Sequence, residues 1–237
     1  TIRVSTLKVD TISPKTSWSS EELAGNHVTN NWGLSAYFTA GSGTFYAPRG
    51  CERVKVQMWG GGGCGGRRSS NRAHGGASGA YGVAIIALTG TGHHLSLNIG
   101  AGGDPSGVGN DADGLEGGTT VVINNANSEV YFVSGGVGGD AFSGAGNGSM
   151  STRGGSSNNV FNFITQLGSP TNGWDDGGGE GGSAPYGGSG GLNTASSNSE
   201  SSTDTTVRAG QIPGGGGAAS YQATPGVGAI GGVIIEF

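Results

Sequence analysis

The stretch GGGGCGGRRSS (60–70) carries residue types that could hold a phosphate. Gly61 and Gly66 stand at the interval of a phosphate-binding loop, and Arg67, Arg68 and Ser69 follow where a lysine and a hydroxyl belong. Such a loop cradles phosphate with backbone N–H groups, reaches the outer oxygens with the lysine, and opens directly into a helix. Here the lysine is missing, and a planar guanidinium replaces a compact ammonium poorly. The next residues, SSNRAHGGASGAYG (69–82), hold glycines at 75, 76, 79 and 82. Each glycine disfavours a helix by ~1 kcal/mol relative to alanine. No nucleotide site is expected, and the glycine run needs another cause.

The other chemically capable residues are scattered. Asp104, Asp111, Asp113 and Glu116 form one acidic group, and Asp175, Asp176 and Glu180 another. A carboxylate pair could hydrolyse a glycosidic bond, but acids spaced through glycine-rich loops read more simply as solvated turn residues. GVGNDADGLEGG (107–118) resembles one copy of the calcium-binding β-roll repeat, which holds each ion between neighbouring turns and so needs several copies. The spacing of a helix–loop–helix calcium loop fails as well, because Gly109 takes the first ligand position. His27, His74, His93 and His94 are not matched to a nucleophile, and GGSGG (187–191) is not a nucleophile elbow. Cys51 and Cys64 flank a strand-like run too long for a disulfide unless the chain doubles back, and no CxxC pair occurs. No metal, cofactor or catalytic activity is expected.

Aromatic residues in glycine surroundings are better candidates for recognition, since their faces stack on sugars and anchor interfaces. Trp174, Tyr186 and Tyr221, with the neighbouring Asp175 and Asp176, form the expected receptor-binding set. Phe161, Phe163 and Ile164 read instead as a buried strand.

These residues must be positioned by an unusual chain. Glycine accounts for 54 of the 237 residues, about three times its ordinary share. Charged residues make up only 11%, too few for the usual disordered composition, and the glycines lack the every-third spacing of collagen. The net charge of −5 argues against general nucleic-acid binding. No apolar run approaches a membrane span, the best being Val83 to Leu88. The N-terminus lacks the apolar region of a secretory signal, so export by that route is not expected.

Residues 1–24 contain no glycine and alternate as short half-buried strands would, at Ile2, Val4, Leu7, Val9 and Ile12. They read as a small attachment segment, followed by a linker over 25–42 and a glycine-rich β domain over 43–237. Strand signals fall at 44–48, 52–59, 80–88, 94–100, 119–124, 129–134 and 232–237, rich in Val, Ile and aromatics and bounded by Gly, Pro or Asn. In RVKVQMW (53–59) Val54, Val56 and Met58 face one way and Arg53, Lys55 and Gln57 the other. The expected fold is all-β: an antiparallel β-sandwich with packed glycine-rich segments of polyglycine-II type. In those segments Gly61, Gly62 and Gly63 are expected to pack against Gly135, Gly136, Gly138 and Gly139 and against Gly214, Gly215, Gly216 and Gly217. Chains without Cβ atoms can approach closely, and extended segments with three residues per turn could satisfy one another's backbones.

The order TFYAPRGCERVKVQMWGGGGCGG, GASGAYGVAI, HLSLNIGAGG, YFVSGGVGG and GVGAIGGVIIEF resembles the glycine-rich domain of bacteriophage tail fibres and related adhesins, over roughly 43–237. STLKVDTI (5–12) is similar to short leaders of phage fibre proteins. Related domains also occur in the ectodomains of certain receptor tyrosine kinases. The resemblance implies a trimeric fibre or fibre-tip protein, made in the host cytoplasm and located in the virion. It would recognise a host surface glycan or outer-membrane protein and join other virion proteins through residues 1–24. A capsid decoration or head-fibre protein without a receptor role is one alternative, and a glycan depolymerase another, although the long β-helix repeats of depolymerases are missing. The segments 156–176 and 193–206 depart from the pattern by breaking the glycine density.

Overall fold

The structure, a computed structural model, describes residues 34–48, 50–68, 73–88, 93–141, 164–166, 179–192, 209–221 and 224–237. The proposed attachment segment 1–24, Phe161, Phe163 and the run 193–206 lie outside the described residues. Among the described residues there is no α-helix, only one 3-10 turn at Pro105–Gly107. None of them forms a helix long and apolar enough to cross a membrane.

The strands are β1 (Ser35–Phe38), β2 (Ser42–Tyr46), β3 (Arg53–Trp59), β4 (Arg67–Arg68), β5 (Tyr81–Ala87), β6 (His94–Asn98), β7 (Thr120–Asn124), β8 (Glu129–Val133), β9 (Ile164–Gln166), β10 (Ser220–Tyr221) and β11 (Gly232–Glu236). One antiparallel sheet has the order β1-β11-β3-β5-β9, a second the order β2-β6-β7-β8, and β4 and β10 pair in parallel. The two large sheets enclose one core. Val54, Val56, Met58, Ala84, Ile86, Val233 and Ile235 fill it from the first sheet; Phe45, Leu95, Leu97, Val122, Tyr131 and Val133 fill it from the second. The period-two pattern fixes this arrangement, because a slip of one residue in β3 would turn Lys55 and Gln57 inward.

One element lies inside the stretch expected to be linker. Ser35–Phe38 forms the edge strand β1, pairing Ala36 with Ile235 and Phe38 with Val233. Ala36 and Phe38 pack against the core. Four residues with only two inward positions are too short for alternation to stand out in a sequence, whereas β11 supplies the partner that makes them a strand.

Beyond the strands, the chain runs on into extended glycine segments that form a second packed body. Gly60–Gly66 lies at its centre. Gly61 N–H donates to Gly118, Gly62 to Ala229 and Gly63 to Ala77. Cys64 then donates to Leu115, Gly65 to Gly226 and Gly66 to His74, so the same three neighbours return in the same order. A period of three is the turn of a polyproline-II-type helix. Its carbonyls face three further segments: Gly136 and Gly139 donate to Gly61 and Cys64, Gly103 to Gly62, and Gly217 and Ser220 to Gly63 and Gly66. Six backbones thus surround one, in hexagonal packing.

This geometry explains the glycines. A Cβ on Gly61 would overlap the carbonyl of Ala101, on Gly62 that of Gly215, on Gly63 that of Val137 and on Gly65 that of Ala218. The reciprocal positions are equally closed: Gly135 faces the Gly117 carbonyl, Gly136 that of Ala77, Gly138 that of Gly114 and Gly139 that of His74. Gly215, Gly216 and Gly217 likewise face the carbonyls of Ser189, Gly76 and Gly226. Gly214 has a further reason, since its φ of +77° suits a residue without a side chain. Ordering so much glycine is entropically unfavourable, and the offset is the set of N–H to carbonyl bonds between neighbouring segments, continuous along Gly60–Gly66.

Candidate functional site

The N–H groups of Gly61 through Gly66 are all taken by carbonyls of neighbouring segments, so the backbone that would have to cradle a phosphate is already bonded. The one side chain inside this run, Cys64, is buried, and its Sγ accepts from Leu115 N–H at 2.9 Å. Burial raises the thiol above its ordinary pKa, which disfavours the reactive thiolate. Cys51 is also a free thiol.

Chemically capable side chains gather at the two ends of the lattice. At the end away from the sandwich, Arg68 in β4 donates from Nη1 to the Ala141 carbonyl at 2.7 Å, and its Nε lies 3.9 Å from Asp111 Oδ1. Asp113 Oδ1 accepts from Ala141 N–H at 2.8 Å, and His74 N–H donates to the Asp140 carbonyl. Two acids of the calcium-like repeat, Asp111 and Asp113, therefore help to close this end of the lattice. Asp111 takes a left-handed φ of +56°, which a short polar side chain tolerates. Asp104 accepts from the backbone N–H and the hydroxyl of Ser106, and these bonds hold its carboxyl below the ordinary aspartate pKa. Among the described residues no three of His, Cys, Asp and Glu gather as metal ligands would.

At the sandwich end the arrangement is aromatic. Register places Gly232, Trp59 and Tyr81 side by side on the outer face of the five-stranded sheet. Trp59 is buried and donates from Nε1 to the Pro185 carbonyl at 2.7 Å, which fixes the turn carrying Tyr186. The Trp59 and Tyr81 ring centroids are 5.1 Å apart, and those of Tyr81 and Tyr186 are 5.2 Å apart, both pairs tilted. Tyr186 is 81% exposed. Its φ is +51°, a conformation normally left to glycine, asparagine or aspartate.

A polar row runs from this stack across the same face. The Tyr81 hydroxyl donates to Gln57 Oε1 at 2.9 Å, Gln57 Nε2 donates to Glu236 Oε1 at 2.7 Å, and Lys55 Nζ lies 3.2 Å from Glu236 Oε2. Partial burial, with the nearby Tyr186 and Glu236, raises the Tyr81 phenol pKa, so the hydroxyl stays protonated as a donor. On the other side of Trp59, Tyr37 is exposed and covers Gly232, where an added Cβ would come 3.3 Å from the Tyr37 ring and 3.2 Å from Pro213.

Of the expected receptor-binding residues, the two that are described, Tyr186 and Tyr221, lie at opposite ends. Tyr186 belongs to the aromatic end. Tyr221 belongs to β10, paired with Arg68 at the opposite end. The extended run from Trp59 to Arg68, at ~3.1 Å per residue, sets those ends ~28 Å apart. Trp174, Asp175 and Asp176 lie outside the described residues. Trp59, Tyr81 and Gln57, which support Tyr186, were legible only as strand residues. Nothing in one sequence pairs a strand tryptophan with a proline more than a hundred residues away.

A family profile described as "Glycine-rich domain" matches residues 39–237, and the chain belongs to that family. The match begins between β1 and β2 and takes in both the sandwich and the lattice. No curated protein sequence matches the chain significantly.

Proposed function

We propose that this member of the glycine-rich domain family is a non-enzymatic structural protein of a bacteriophage virion, a tail fibre or fibre tip that attaches to the host surface. The reading assigns residues 1–24 to attachment within the virion and the glycine-rich domain to the exposed adhesive part. The observation that carries it is the lattice around Gly60–Gly66, whose central segment is bonded, backbone to backbone, to six neighbouring segments. A body built this way resists deformation without a large apolar core, as a part that meets a cell surface outside the cell must. Assembly as a homotrimer rests on the resemblance to phage fibre proteins alone, since the lattice satisfies its backbone within one copy.

Immunogold electron microscopy of the virion with antibody raised against this chain tests the reading. Label at the tail-fibre tips is expected. Label on the head would favour a decoration protein, and virions without label would refute the virion assignment. Release of reducing sugar ends from host glycans by the purified chain would favour the depolymerase instead. Light scattering should give three times the chain mass, and a stable monomer would remove the trimer.

A further inference from the structure

Tyr186 poses a question that packing does not answer. Its ring is 81% exposed, so it buries little, and its φ of +51° is one that a glycine would take without strain. A non-glycine residue held in this conformation is a recognised mark of a functional position when the surroundings over-determine it. They do so here: Trp59 Nε1 grips the Pro185 carbonyl, and Tyr81 backs the Tyr186 ring. A Cβ on Gly187 would come 2.9 Å from Trp59 Nε1 and 2.7 Å from the Pro213 carbonyl, so the turn is seated tightly.

We propose that Tyr186, with Tyr81, Gln57 and Glu236, forms a carbohydrate-binding platform on the outer face of the five-stranded sheet, its ligand the pyranose ring of a surface glycan. This deepens the adhesin reading and rests on it for the source of the glycan. The chemistry fits a sugar on two counts. A pyranose presents weakly positive C–H groups on one face, which match the negative face of an exposed aromatic ring. Its edge carries hydroxyls that both donate and accept, and the adjoining row offers both: the Gln57 amide, the Glu236 carboxylate and the Tyr81 hydroxyl lie within successive hydrogen bonds of one another. A few placed polar groups beside an apolar surface are what orients a small ligand. Lys55 keeps Glu236 compensated, so the row is not a bare negative patch that would repel acidic sugars. The exposed Tyr37, across Gly232 from Trp59, extends the surface to a second sugar unit.

The test uses the full chain and methyl glycosides of glucose, galactose and N-acetylglucosamine, read by saturation-transfer NMR. The unaltered protein should transfer saturation to the ring C–H protons of at least one glycoside. Y186G should lose about tenfold or more in affinity while melting no lower, since it removes a strained φ; Y186W should retain binding. No transfer from the unaltered protein, or equal transfer from Y186G, overturns the platform. Attachment of labelled protein to bacteria separates the two readings. If Y186G weakens attachment equally to untreated and periodate-oxidised cells, the partner is a protein and the sugar platform fails. If the platform fails but the unaltered chain still coats cells, the adhesin reading survives. If the chain coats no cell yet transfers saturation to a glycoside, the adhesin reading fails and the platform stands.

Discussion

Between Met58 and Gly62 the same chain passes from a core filled by side chains to one filled by backbone. In the sandwich, Val54, Val56 and Met58 point between two sheets and exclude water with methyl and methylene groups. In the lattice, Gly61 to Gly63 have no side chains to contribute, and each N–H instead finds a carbonyl on a different neighbour. The first core tolerates a change of shape by shifting rotamers. The second cannot, because what would have to move is a hydrogen-bonded peptide group. A low apolar fraction therefore need not mean a loose protein, provided that the backbones are close enough to satisfy each other.

The most severe substitution strikes the centre of the lattice. Gly62→Ala adds one carbon where the Gly215 carbonyl already stands, and should destabilise the protein by about 3 kcal/mol or more. Its φ is not in the left-handed region, so the loss would be wholly steric. Chemical denaturation checks it, and an unchanged midpoint would mean that the lattice yields like an ordinary loop.

A second test loads the sandwich through its titration. Burial and a hydrogen bond to Glu129 raise the Tyr131 phenol well above its ordinary pKa. A group with a raised folded pKa contributes stability that is fully present below the unfolded value. It is lost above that value, here from about pH 10 upward, by up to ~1.4 kcal/mol per pH unit. Y131F should flatten that alkaline slope in melting experiments, and an unaltered slope would remove Tyr131 as its cause.

Ile235→Val removes one carbon from the sandwich and should lower stability by ~0.5–1.5 kcal/mol. Set beside Gly62→Ala, it measures the asymmetry: removing a carbon from one core should matter less than adding one to the other. The smallest effect has the opposite sign. Gly109 lies outside the lattice, and a Cβ there meets nothing within 4 Å. Gly109→Ala should therefore stabilise by ~0.4–1 kcal/mol through the unfolded chain, and marked destabilisation would show that the glycine density is needed beyond the packed segments.

Much of this was legible in the sequence, and the boundary of what was legible is physical. Alternation over Arg53–Trp59 and His94–Asn98 named the inward residues Val54, Val56, Met58, Leu95 and Leu97, since side-chain direction in a strand depends only on position. The absence of side chains at 60–63 was enough to expect close backbone packing. Hexagonal order, with Gly60–Gly66 at the centre, came only from the fold, because a run of glycines carries no pattern to say which neighbour each N–H will meet. The same limit hid β1, too short for its two inward residues to register, and hid the seating of Tyr186. Its exposure could be guessed from glycine surroundings, but the Trp59–Pro185 hydrogen bond and the left-handed turn belong to tertiary structure. Composition and periodicity are local properties of a chain and determined that this protein is β-rich and backbone-packed. Which segments meet is a long-range choice, and only the packing of distant backbones against one another decided it.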